Sequence, residues 1–118
     1  TENRLIQIKD RMPMRYNGEL RLFVKAYDLL GSIPMGLKRV KIFMNEELIR
    51  DYDFTYFIKR DNIYYIAPNY TFEEVYGVDS HFYRGGNFTP RRGKYTFKTE
   101  VTDFDNKTVT LTRIVNFY

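Results

Sequence analysis

Polar and apolar residues alternate along most of this chain with a period of two, the spacing of a half-buried β-strand. The clearest run covers residues 18–28, where Leu20, Leu22, Val24 and Ala26 alternate with Arg21, Phe23, Lys25 and Tyr27. The first set reads as core; the second mixes two cations with two rings. Residues 37–44 repeat the pattern, with Val40, Ile42 and Met44 on one face and Arg39, Lys41 and Phe43 on the other. In residues 93–103, Tyr95, Phe97, Thr99 and Val101 are expected inward. In residues 108–118 the inward set is Val109, Leu111, Val115 and Phe117. Arg113 shares that phase, which places it near a strand end or at a bulge.

Shorter segments fill the spaces between these runs. Leu5-Ile6-Gln7-Ile8-Lys9 is a candidate first strand, Pro13 would break a central strand, and Asn17-Gly18 signals a turn. Gly31, Pro34 and Gly36 punctuate residues 28–36, which read as a loop. Asn45-Glu46-Glu47 predicts a tight connection into residues 48–57. In that segment Leu48, Arg50, Tyr52, Phe54 and Tyr56 share a phase, as in an edge strand that extends its Arg toward water. Arg60-Asp61-Asn62 predicts a turn and residues 63–67 a short strand stopped by Pro68. Thr71-Phe72-Glu73-Glu74 matches a capping box, with Thr71 as N-cap and Glu74 at the third helical position. Gly77 follows too soon for more than a turn or two of helix. Residues 78–92 read as a long ordered loop, or a loop with a short edge strand, and Asp103-Phe104-Asp105-Asn106-Lys107 as a hairpin. About seven strands with one helical turn in the middle predict an all-β, antiparallel two-sheet sandwich.

Composition supports strands over helices. Tyr and Phe, 11 and 10 of 118 residues, favour pleated half-buried surfaces, whereas the helix former Ala occurs only at Ala26 and Ala67. The length suits one domain, residues 1–118. The chain begins at Thr1 without a signal-peptide pattern, so we expect a domain excised from a larger protein. No apolar run approaches the roughly 20 residues of a membrane span. With no Cys and a single His, disulfides, thiolate metal sites and Cys nucleophiles are excluded, and no cofactor is expected.

The candidate chemistry is correspondingly thin. His81 lies in Asp79-Ser80-His81, but a catalytic triad needs convergence in space, which loop neighbours rarely achieve. No catalytic residue is therefore expected. Asp103-x-Asp105-Asn106 begins like a calcium loop, yet Thr108 and Ile114 stand where an EF-hand needs Gly and Glu. A looser calcium site adding Asp28 is a weak candidate; the plain reading is turn formation. Cations interleave with rings at Arg21-x-Phe23-x-Lys25-x-Tyr27 and Arg39-x-Lys41-x-Phe43, a nucleic-acid pattern. The net charge of only +4 and the dispersed acids disfavour nucleic acid, and an anionic envelope polymer or membrane surface accounts for the charge equally well. The aromatic middle segment carries candidate ligand-binding residues Tyr64, Tyr65, Tyr76, His81, Phe82, Tyr83 and Arg84. Such rings grip a sugar or peptide when exposed and form a local core when not.

Two stretches resemble the immunoglobulin-like and fibronectin type III-like domains of bacterial surface and envelope proteins. The run ending Ala26-Tyr27-Asp28, followed by Gly36 and the run to Asn45, is similar to that family's second and third strands. Gly93-Lys94-Tyr95-Thr96-Phe97, leading to Asp103 and Asn106, is similar to its last hairpin, and Tyr95 falls at the tyrosine-corner position. Asp105 replaces a usual Gly, and residues 52–92 have no counterpart. The resemblance implies a periplasmic, cell-surface or secreted location. It also implies an accessory role beside a catalytic domain, such as a peptidoglycan endopeptidase of the lysostaphin type. None of those enzymes' metal-binding motifs is present, so the expectation is a non-catalytic spacer or interaction domain whose partners are neighbouring domains of the parent protein. The alternative is a module that binds cell-wall glycan or peptide, the cell-wall polymer being its partner, through the aromatics of residues 64–83.

Overall fold

Two-residue alternation becomes sheet along most of the described residues. The computed structural model describes residues 8–15, 18–25, 28–30, 33–35, 37–67, 70–76 and 82–118. In chain order the strands are β1 (Met12–Met14), β2 (Leu20–Lys25), β3 (Asp28–Leu30), β4 (Ile33–Met35), β5 (Arg39–Met44), β6 (Glu47–Arg60), β7 (Ile63–Ala67), β8 (Tyr70–Thr71), β9 (Phe82–Phe88), β10 (Gly93–Thr102) and β11 (Thr108–Phe117). One helical turn, α1 (Phe72–Val75), separates β8 from β9. Seven strands form one sheet in the order β1-β11-β10-β5-β6-β7-β8; β2 pairs with β9, and β3 with β4.

Register explains which side chains share the core. Val101 lies opposite both Val40 and Val109, and Thr99 opposite both Ile42 and Leu111. Directly paired residues point to one face, so the inward set of β10 continues across β5 and β11. Val40 also faces Tyr52 on β6. Leu22 and Tyr83, from the β2–β9 sheet, join these residues in one core with Ile66, Val75, Val115 and Phe117. Phe88 of β9 closes the layers: its ring lies 5.9 Å from Tyr95, 5.6 Å from Phe97 and 6.4 Å from Phe117. On the opposite face of the large sheet, Arg39 makes two 2.8 Å bonds to Asp51. There too Lys98 sits 4.3 Å from the centre of the Phe43 ring.

The turns follow from residues that tolerate positive φ. Asn45 (φ 52°) and Glu46 (φ 69°) join β5 to β6, and Asp61 (φ 48°) and Asn62 (φ 65°) join β6 to β7. Positive φ at both central residues is the two-residue hairpin whose twist matches the strands. Asn45 is further held by its side-chain oxygen, which accepts from the Thr96 N–H at 2.9 Å.

Several expectations are corrected. The large sheet is mixed rather than antiparallel, because β1 runs parallel to β11. Pro13 lacks a donor, which suits β1 to the edge it occupies. Residues 28–36 contain the β3–β4 pair where a loop was predicted. β6 is an interior strand, hydrogen-bonded to β5 and β7. A register shift after Ile42 changes its phase, so Tyr52 is buried while Leu48 is exposed. Residues 82–88 form a full strand inside the segment read mainly as loop. Val115 and Phe117 are buried as expected, but Val109 and Leu111 are exposed, because the smaller sheet covers only one end of β11. The candidate strand at residues 5–9 lies mostly outside the described residues.

Candidate functional site

A concave site forms where the seven-stranded sheet, the β2–β9 sheet and α1 meet. Its volume is about 240 Å³, and its walls include Arg21, Arg50, Arg84, Glu74, Tyr70 and Asn87. Each cation comes from a different strand: Arg21 from β2, Arg50 from β6 and Arg84 from β9.

Local rules place these groups. Thr71 caps α1: its hydroxyl accepts from the Glu74 N–H at 3.2 Å, and the Glu74 carboxylate accepts from the Thr71 N–H at 3.0 Å. These bonds hold the Glu74 carboxyl below the usual carboxylate range, the backbone amide of Thr71 being the main cause. At the other end of α1, Arg84 Nε donates to the carbonyls of Glu73 (3.1 Å) and Tyr76 (2.9 Å). A cation here satisfies carbonyls that a helix end leaves free. The Arg84 guanidinium also lies 5.6 Å from the centre of the Phe23 ring. Its backbone carbonyl accepts from the Tyr52 hydroxyl, which ties the two sheets together beneath the cleft.

The floor is a β-bulge. Arg21 pairs with Asn87 and Phe23 with Arg84, so Gly85 and Gly86 together oppose Leu22. Gly86 has φ +88°, and a Cβ there would meet Arg50 Nη2 at 2.9 Å. Glycine therefore serves both the backbone conformation and the space the guanidinium fills.

The aromatic residues singled out in the sequence are placed differently. Tyr83 is buried at 4% exposure, and Tyr76 is half-buried. Their rings pack 5.6 Å apart, and Phe54 lies 5.6 Å from Tyr83 and 6.3 Å from Tyr76. Tyr70 meets Tyr52 edge-on at 4.8 Å. Burial pushes the phenols of Tyr52 and Tyr83 up to about 12. Of the candidate ligand contacts, Tyr76 and Tyr83 are thus placed within this aromatic cluster. Tyr65 is half-buried, with Arg60 5.3 Å from its ring centre. Of the predicted set Arg84 lines the cleft. His81 and the rings of Tyr64 and Phe82 lie outside the described residues, as does the Asp28 side chain.

Asp103 and Asp105 act as turn formers. Asp103 Oδ1 accepts from the N–H groups of Asp105 and Lys107, each at 2.9 Å, and Lys38 Nζ donates to Asn106 Oδ1. Among the described residues no three His, Cys, Asp or Glu side chains gather to hold a metal ion. Arg21 and Arg50 were legible only as strand residues. Gly85-Gly86 was the one local signal of a bulge beside Arg84.

No curated protein and no solved structure matches this chain. One family model spans residues 1–118, and the chain belongs to that family, an uncharacterised one.

Proposed function

We propose that this chain is an immunoglobulin-like sandwich serving as a non-catalytic accessory or interaction domain of a larger bacterial secreted or cell-envelope protein. The observation that carries the reading is strand order. The run β11-β10-β5-β6-β7, with β2 and β9 across the core, parallels the G-F-C-C′-C″ sheet of variable-type domains, whose B and E strands lie opposite. The Tyr95 hydroxyl adds support, accepting from the Arg91 N–H at 3.0 Å, as a tyrosine corner reaches back to upstream backbone. In this role the sandwich spaces and orients its neighbours, a peptidoglycan peptidase being the kind of catalytic neighbour it suits. Inward packing of Tyr76 and Tyr83 favours this role over glycan binding by the aromatic segment.

Co-sedimentation with purified peptidoglycan separates the two. The accessory reading expects the chain to remain in the supernatant. Saturable retention that Tyr65→Ala abolishes overturns it in favour of a cell-wall-binding module. Tyr65 is the residue for this test because it is not part of the buried core, so its truncation leaves the fold standing.

A further inference from the structure

We propose that the cleft between the two sheets binds a small oxyanion, a phosphate or carboxylate group, on Arg21, Arg50 and Arg84. Three guanidiniums face one carboxylate there, an excess of two positive charges in a single concavity. Among the described residues no ion pair joins these arginines to an acid. Glu74 is held by its bonds to Thr71 at the cap of α1. Arg21 is exposed and has no polar partner among the described residues. Arg84 Nε is engaged by the carbonyls of Glu73 and of Tyr76 just past α1, which fixes the guanidinium rather than neutralising it. Like charges brought together from three strands repel unless something compensates them. A bound anion does this, and the planar fork of Arg matches phosphate and carboxylate with paired bonds.

The floor supports the same reading. The Gly85–Gly86 bulge interrupts the β2–β9 ladder beside the arginines. Glycine within a strand marks close approach by a ligand or another group, and at Gly86 that group is Arg50 Nη2. The Asn87 amide and the Tyr70 hydroxyl add neutral hydrogen-bonding groups to the walls. At about 240 Å³ the space falls below the roughly 300–1,000 Å³ of ordinary small-molecule pockets. It suits one anionic group on a small body rather than a long chain.

The test is an amide-resolved NMR titration at constant ionic strength with inorganic phosphate, pyrophosphate and citrate, and with chloride as the control. Saturable shifts at Gly86 and Asn87 are expected with at least one oxyanion, and the tighter probe assigns phosphate or carboxylate. Arg21→Gln and Arg50→Gln should each weaken binding about tenfold or more, while Lys94→Gln, an exposed charge on β10, should not. Arg21 is exposed, so Arg21→Gln keeps the fold. Shifts that chloride reproduces, shifts indifferent to both arginine substitutions, or no saturable response to any probe overturn the proposal. None of these outcomes depends on the immunoglobulin-like reading.

Discussion

Thr71 shows how much one side chain organises. Its hydroxyl and backbone amide bond reciprocally with Glu74, and the short helix they start carries Val75 into the core at 0% exposure. Four residues of helix have almost no intrinsic stability, so the cap and the buried valine hold α1 together. Thr71→Ala should lower folding stability by about 1 kcal/mol, read from urea unfolding followed by tyrosine fluorescence. An unchanged midpoint would mean α1 is held by Val75 and Arg84 alone. This device was legible in the sequence because a capping box is local: four adjacent residues contain both partners. Asp103 was legible for the same reason, its carboxylate bonding amides two and four residues on.

At the scale of elements, spacing between strands decides what each residue does. Gly85 lets β9 approach β2: a Cβ there would lie 2.8 Å from Cγ and Cδ2 of Leu22 and 3.1 Å from its Cβ. The contact reaches the base of that side chain, so rotation alone cannot relieve it. Gly85→Ala should cost about 1–3 kcal/mol, seen as a lower urea midpoint at unchanged slope. Ile42, Thr99 and Leu111 lie in one row across β5, β10 and β11, yet Ile42 is 1% exposed and Leu111 50%. Ile42→Ala should therefore cost about 2–5 kcal/mol, and Leu111→Ala about 0.5 kcal/mol or less. Equal costs in the same denaturation assay would show that something covers the β11 end of the row in solution. Periodicity told which face these residues share. It did not tell how far along that face the second sheet extends, because coverage depends on a strand distant in sequence.

For the whole molecule, the tyrosines that join the sheets also set its limit in alkali. Tyr52 and Tyr83 ionise near 10.0 in an unfolded chain, and burial raises both to about 12 in the folded one. Between those values the unfolded chain loses protons that the folded chain keeps, so stability falls as pH rises. Below pH 10 the contribution is complete; through pH 12 it is lost. Urea midpoints should therefore be flat from neutrality to about pH 10 and drop steeply above it, with the share of tyrosinate absorbance that Tyr52 and Tyr83 contribute appearing late and together with unfolding. Tyr83→Phe should make the alkaline drop shallower. A midpoint that stays level to pH 12 would contradict the burial of these phenols.

The sequence by itself determined strands β2, β5, β6, β7, β10 and β11, the two-residue turns and the capped helical turn. Each depends on residues a few positions apart, and backbone geometry converts their spacing directly into structure. Only the tertiary structure decided that β1 lies parallel to β11, that β6 is interior, and that Tyr76 and Tyr83 pack inward. It alone brought Arg21, Arg50 and Arg84 to one cleft. Those outcomes rest on pairings between segments dozens of residues apart, whose energies come from burial and register that no local pattern records.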